Sequence, residues 1–358
     1  AHRCEHAVSA AGNDSLPVPA DAAQAGNRRF VLARRVDGLP RADDFRLETA
    51  SRPLPGEGQV LVRNRFISVD PGTRGRLGDR ETYAQPLALG EVIQAATVGT
   101  VETSANPRFK PGDWVAGAFG WQEWGLSDGR GLRAVPSNGL PPSTAIGVLG
   151  IPGLTAYFGL LDVGALKAGE TLLVTSAAGA VGSAAGQIGR IEGARVVGVA
   201  GGQAKCDWLT RDLGFAAAID YRAQGDLGAA LAAACPEGID VLFDNVGNAM
   251  IDSVLPLMKR GGRIVVCGQM ADYNRPAHEA VGLKNTRAFI GQRLTMRGFV
   301  AFDYVRQYPI AWERMTRWIT EGRLAYREDI IDGFESLPQA FIGLFTGENF
   351  GRRVVRLS

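Results

Sequence analysis

Cysteine is scarce in this chain of 358 residues, and the four present, Cys4, Cys206, Cys235 and Cys267, stand far apart. That spacing excludes both a dense disulfide framework and the close pairs of a structural zinc site. Histidine is rarer still, with three in all, and two of them frame Cys4 as His2-x-Cys4-x-His6. The triplet could chelate a metal, but a terminal segment of this kind lacks the fixed geometry and supporting hydrogen bonds of a real site. No apolar run approaches the length of a membrane span, and no basic start followed by an apolar core marks a secretory leader. The 39 basic and 37 acidic residues leave a net charge of only +2, with no long block of one sign to favour nucleic acid or an acidic membrane. The expectation from these absences is a metal-free, cytoplasmic protein with no nucleic-acid and no membrane partner.

What is present is a globular composition, 46% hydrophobic and 21% charged, over a length that suits about two domains. Residues 1–27 are rich in Ala, Gly, Asp, Ser and Pro without periodicity and read as a flexible tail. From Phe30 to Gly117, short alternating runs such as Val60 to Val69 are broken by Pro and Gly, the texture of a compact β-rich domain. From Ser143 the pattern changes to strands alternating with amphipathic helices, which predicts a doubly wound parallel sheet. Its six strands are expected at 171–175, 195–200, 218–220, 241–244, 263–267 and 294–299. Helices are expected at 155–162, 180–192, 204–213, 227–234 and 250–257, with a long one over 308–321. The last segment, Phe334 to Leu357, is expected to pack back on the first domain. The domains are therefore 28–143 with 313–358, and 144–312.

The organising stretch is Thr171 to Gly182, which reads as strand, tight turn and helix start. Ala177, Gly179 and Gly182 align with the three glycines of the dinucleotide fingerprint, alanine replacing the first. Small residues are needed there because a pyrophosphate must approach the unpaired N–H groups and positive dipole end of a helix. The second strand ends in Gly201 and Gly202, where an NAD site would carry an acid for the ribose hydroxyls. With no acid to repel a 2′-phosphate, and Lys205 opening the next helix, this strand end favours NADP(H). Lys205 as an ordinary solvated lysine is the plain alternative.

Several stretches together resemble the zinc-independent branch of the medium-chain dehydrogenase/reductase family, which contains prostaglandin and leukotriene, curcumin and alkenal double-bond reductases. They are Ser68 to Pro71 with Arg74, Phe119 to Trp124, Gly153 to Tyr157, Ala177 to Gly182, Val197 to Gly201 with Lys205, Asp244 to Gly247, and Asn349 to Gly351. The resemblance implies a quinone-reductase-like fold: a Rossmann domain joined to a β-rich GroES-like catalytic domain, usually as a homodimer paired through the last sheet strand. It implies that Thr155, Ala180, Val181 and Cys267 line the cofactor cleft with the glycine motif. Lys205 and Tyr221 would hold the 2′-phosphate, Asn245 and Gly247 the ribose and pyrophosphate side, and Asn349 the nicotinamide half. Tyr221 as a strand-end aromatic, and Asn245 and Asn349 as loop amides, are the structural alternatives. The early cysteine, the histidine beside Gly90-Glu91 and the four-cysteine lobe of zinc-dependent relatives have no counterpart.

The resemblance further implies NADPH-dependent hydride transfer to the C=C bond of an α,β-unsaturated ketone or aldehyde. The product of hydride addition is an enolate, which must be stabilised by hydrogen-bond donors and then protonated. Tyr273 is the candidate donor, with a packing tyrosine as its alternative; solvent or a cofactor hydroxyl could supply the proton. Arg74, Trp124 and Tyr304 are expected in the substrate pocket. Gly72 and Thr73 depart from the Tyr-Met usual in the double-bond reductases. That keeps a carbonyl, allylic-alcohol or quinone oxidoreductase open, and a non-catalytic NADPH sensor is the rival of another class.

Overall fold

The computed structural model describes residues 26–79, 82, 84–223 and 225–358. His2, Cys4 and His6, and the expected tail up to residue 25, lie outside the described residues. The first half contributes β1 (Asn27–Leu32), β2 (Phe45–Ala50), β3 (Val60–Ser68), β4 (Thr97–Ser104), β5 (Trp114–Gly117), β6 (Trp124–Ser127) and β7 (Arg133–Ala134). α1 (Ile151–Phe158) then leads into the second half, starting at Ile151 because Pro152 suits a first helical turn, which lacks an N–H partner in any case.

That half alternates β8 (Thr171–Val174), α2 (Ala180–Ile191), β9 (Arg195–Ala200), α3 (Gln203–Asp207), β10 (Ala217–Asp220), α4 (Leu227–Ala234), β11 (Ile239–Asp244) and α5 (Asn248–Val254). β12 (Met258–Val266), α6 (Arg287–Gln292), β13 (Thr295–Gly298) and α7 (Tyr308–Thr320) complete it. Six strands form one sheet in the order β10-β9-β8-β11-β12-β13, and every pairing is parallel. The order reverses between β8 and β11, so the crevice of a doubly wound sheet opens beyond their carboxyl ends. β8 is buried along its whole length, as its unbroken Thr-Leu-Leu-Val run requires of a strand covered on both faces.

The chain closes with β14 (Glu328–Asp332), α8 (Leu337–Thr346) and β15 (Arg352–Arg356). A second sheet has the order β14-β15-β3-β4-β5-β7, with β6 on β3. The return of the final segment is driven by apolar burial: Phe334, Leu337, Phe341, Leu344 and Val355 share a core with Phe30, Phe45, Ile67 and Trp121. α7 runs across the expected boundary at 312/313, since Ala311, Met315 and Trp318, with Leu324 beyond it, pack with Tyr157 and Phe158 in the core of the parallel-sheet half. Among the described residues no helix is long and apolar enough to cross a membrane.

Candidate functional site

β8 ends at the centre of the parallel sheet and the chain turns at once. Ser176 adopts φ +48, a left-handed conformation that costs a residue with a side chain about 1–2 kcal/mol. The turn is pinned by the Ala177 N–H, which donates to the Val199 carbonyl of β9 at 2.9 Å. Gly179 caps α2, and Ala180, Val181 and Gly182 form its first turn, where N–H groups have no partner within the helix. A Cβ on Gly182 would stand 2.4 Å from the Ser176 carbonyl oxygen and 2.8 Å from the Ala177 Cα, so only glycine lets the helix sit this close to the turn. A bare backbone cradle at a helix N-terminus fits a pyrophosphate.

The last residues of the chain complete the cradle. Gly351 donates its N–H to the Ala178 carbonyl at 2.9 Å and bridges Gly179 in parallel. Asn349, whose Nδ2 donates to the Gly351 carbonyl at 3.2 Å, thereby faces the same cleft. The cleft is about 440 Å³ and runs between the two halves, from Asp70 and Pro71 past Ala178 to Gly182 and on to Lys205, Tyr221 and Arg222.

Its far end is cationic. Gly201 and Gly202 end β9, and Gly202 turns away at φ +99 with its N–H bonded to Asp220 Oδ1 at 2.8 Å. The one carboxylate at this tip is thus occupied by backbone, and it also accepts the Arg222 N–H at 3.0 Å. Lys205 donates Nζ to the Gly347 carbonyl at 2.8 Å, and Arg222 donates Nη2 to Thr346 at 3.1 Å. Burial, then the positive charges of Arg222 and Arg353, push the Lys205 pKa down against the pull of Asp329. Clustered cations that destabilise one another's charge are what a bound phosphate relieves. Arg222 was not anticipated; the signal was a basic residue directly after Tyr221 at the tip of a strand.

The wall beyond β11 is built by a buried carboxylate. Asp244, with no solvent exposure, accepts from the Thr175 hydroxyl at 2.7 Å, the Gly247 N–H at 2.8 Å and the Val246 N–H at 3.2 Å. Burial pushes its pKa up to about 6 despite these donors. Thr175 in turn accepts the Asn245 N–H at 2.8 Å, and its carbonyl accepts Asn245 Nδ2 at 2.8 Å, so the amide is fixed at the switch point. Cys267 closes this corner through an N–H bond to the Asp244 carbonyl at 2.8 Å. Its thiol, pushed up to about 12 by burial and the nearby Asp244, is neutral.

At the other end Asp70 is held by Arg352 at 2.5 Å and by the Ser68 hydroxyl at 2.6 Å. Met270 and Ala271 line the cleft opposite, in the loop that carries Tyr273. Tyr273 is half-buried, its N–H donates to the Gln269 carbonyl at 3.0 Å, and its hydroxyl lies 3.6 Å from where a Cβ on Gly268 would stand. Thr155 is half-buried on α1, one turn beyond Pro152, the residue of that helix that reaches the cleft.

Three residues expected in the pocket stand apart from this cleft. Trp124 lies on β6 under the guanidinium of Arg52, 3.6 Å from its ring centre, with Arg63 at 5.6 Å. Tyr304 stacks on Phe158 at 4.6 Å and donates to Asp162 at 2.5 Å; burial, then this contact, pushes its pKa up to about 12. Arg74 is buried and makes its bonds to Gly38 and Asn274. Arg74 and Trp124 were placed by motifs, and a motif does not say which way a side chain points.

Two family models match: the N-terminal domain of oxidoreductase over 28–135, and the zinc-binding dehydrogenase model over 180–321. Among the described residues no group of three or more His, Cys, Asp or Glu side chains is placed to hold a metal ion. The NADPH-dependent curcumin reductase of Escherichia coli (strain K12) is 44% identical over 337 residues, 93% of this chain and 97% of the relative. The chain belongs to the zinc-independent branch of the medium-chain dehydrogenase/reductase family. The NADP(+)-dependent 2-alkenal reductase of Nicotiana tabacum is 39% identical over 342 residues, covering 94% of this chain and 99% of that one. The structure of CurA in complex with NADPH from Vibrio vulnificus superposes with a TM-score of 0.88 at 41% identity, over 92% of this chain and 99% of that one. The architecture is thus the quinone-reductase-like fold of this family. With the cationic tip of β9, whose neighbouring acid Asp220 is engaged by backbone N–H groups, membership makes the chain an NADP(H)-dependent oxidoreductase.

Proposed function

We propose that this protein reduces the C=C bond of an α,β-unsaturated ketone or aldehyde with NADPH. The observation that carries the reading is the single cleft joining the cation cluster of Lys205 and Arg222 to the Asp70, Met270 and Ala271 end, through a bare glycine cradle. The similarity to the tobacco 2-alkenal reductase supports the substrate class, since a 2-alkenal is an α,β-unsaturated aldehyde.

Bound NADPH supplies a hydride to the β-carbon of the substrate. The work of the chain is to hold, shield and stabilise. The N–H groups of Ala180 to Gly182 and the glycine backbone receive the pyrophosphate, Lys205, Tyr221 and Arg222 the 2′-phosphate, and Asn245, Gly247 and Asn349 the remaining polar groups. Tyr273 donates its hydroxyl to the oxygen that becomes negative as the enolate forms, and a proton from solvent reaches the α-carbon to give the saturated product. The protein acts as a homodimer, for which the uncovered strand β13 at the end of the parallel sheet, exposed at all four residues, offers an edge.

The test is a panel of enones, enals, quinones and allylic alcohols assayed by NADPH absorbance with product analysis. A saturated ketone or aldehyde from the enones supports the reading. An allylic alcohol, turnover confined to quinones, or NADPH binding with no turnover of any acceptor rejects it. Sedimentation giving a monomer mass would reject the dimer.

A further inference from the structure

The loop after β12 touches both halves of the molecule, and its two attachments differ in kind. Toward the nucleotide side they are backbone to backbone: the Met270 N–H donates to the Asn245 carbonyl at 3.1 Å and the Ala271 N–H to Val246 at 3.0 Å. Toward the first half the attachment is a buried cation. Arg74, 8% exposed, donates Nε to Asn274 Oδ1 at 3.1 Å and to the Gly38 carbonyl at 3.2 Å, and Nη2 to Gly38 at 3.1 Å. Residues 38, 74 and 274 come from three separate segments, and Asn274 is the neighbour of Tyr273.

A guanidinium taken from water is costly unless its donors are met. These acceptors are a carbonyl and an amide oxygen rather than a carboxylate, and Asp37 and Asp44 support the charge only through space. Such an arrangement is a poor way to add stability and a good way to fix direction, because the flat fork of an arginine dictates where both acceptors sit. The loop is therefore held from two sides. One follows the cofactor wall of Asn245 and Val246, and the other follows the first half of the molecule.

We propose that Arg74 is a positioning residue that latches the 269–275 loop to the first half through Asn274, and so sets where Tyr273 stands relative to the substrate end of the cleft. The proposal rests on the reading of this cleft as a reductase site. Loss of the latch leaves the cofactor wall intact and lets the loop drift. A displacement of about 1 Å at a reacting centre costs on the order of 100-fold in rate.

The test uses the full chain with saturating NADPH and four variants, Asn274→Ala, Arg74→Lys, Arg74→Ala and the double Arg74→Ala/Asn274→Ala. Hydrogen exchange of the 268–276 segment should rise about 10-fold or more in Asn274→Ala and Arg74→Lys, while the NADPH dissociation constant stays within about two-fold, as expected of one lost charge-assisted bond away from the cofactor. Enone turnover should fall about 100-fold in kcat/KM, and the double variant Arg74→Ala/Asn274→Ala should be no worse than the poorer single one, as for two ends of one contact. Unchanged exchange in Asn274→Ala and Arg74→Lys overturns the latch, and so does faster exchange with wild-type kinetics, or losses that add. Asn274→Ala and Arg74→Lys carry the test if Arg74→Ala does not fold. Should the wild type reduce no enone, the reductase reading fails by itself, and the exchange measurement still decides whether the latch exists.

Discussion

Lys205 Nζ and the Gly347 carbonyl oxygen lie 2.8 Å apart, so the first residue expected at a 2′-phosphate is already tied to the turn that ends α8. The contact holds the ammonium at the cleft mouth, beside Arg222 and the positive charge of Arg353. Lys205→Ala and Arg222→Ala should each weaken NADPH by about 10- to 100-fold, the worth of a charge-assisted bond, and leave NADH within about three-fold. Fluorescence titration with both cofactors checks this. Equal losses for NADPH and NADH would remove these residues from the phosphate site.

Gly182→Ala places a methyl against the Ser176 carbonyl and the Ala177 backbone, neither of which can swing aside. Thermal and chemical denaturation should record a loss of about 1–3 kcal/mol, the usual cost of overpacking, together with weaker NADPH binding. A variant as stable as the wild type, with unchanged affinity, would mean that α2 does not press on this turn.

Tyr273→Phe should lower turnover of a small enone by about 100- to 1000-fold and leave NADPH affinity nearly unchanged, since the lost bond belongs to the transition state. The measurement is steady-state kinetics with a deuterated cofactor to show that hydride transfer limits the rate. Near wild-type turnover would assign the donor elsewhere and leave Tyr273 a packing role.

The carboxyl of Asp244 titrates at about 6 in the folded protein against an ordinary value of 3.8. A raised carboxyl pKa means that the neutral form is favoured by folding, so the contribution is full below the ordinary value and is lost as pH rises through the folded one. Relative to Asp244→Asn, which does not titrate, the wild type should lose about 3 kcal/mol of stability between about pH 4 and pH 7, most of it by pH 6. Chemical denaturation at each pH reads the difference. A flat difference would place the Asp244 pKa near normal.

The parallel sheet was legible because β8 and β9 are unbroken apolar runs ended by small residues, a pattern that little else produces. In the glycine turn Gly179, Ala180, Val181 and Gly182 line the cleft, as does Gly201 after β9, whereas Ala177 is buried behind it. What escaped were properties of the folded chain. Asp70 meets Arg352 from 282 positions away, and nothing near either residue announces the other. Asp244 looks like one more strand-end acid until its burial and three donors are seen. Trp124 sat in a recognisable motif and Tyr304 just beyond the last parallel strand, yet their directions were decided by Arg52 and by Phe158, which no local pattern could supply. The helix expected at 155–162 was placed late: α1 starts at Ile151 and continues through a wider turn at 159–163, where Gly159 lets Phe243 and Phe299 press on the backbone.

β15 lies between β14 and β3, and the loop before it bridges the glycine turn through Gly351 and Ala178. On a ribosome, residues 151–324 can assemble the parallel half as they emerge, since its contacts are largely sequential. The other half must wait, with the Phe66–Ser68 end of β3 lacking β15, until Val354 and Val355 are made to pair with Ser68 and Ile67. The exposed edge of β3 is a place for a nascent chain to stick to another, and closing so long a loop is slow. Refolding should therefore show the nucleotide half forming first, with cofactor capacity arriving only in the last and slowest phase.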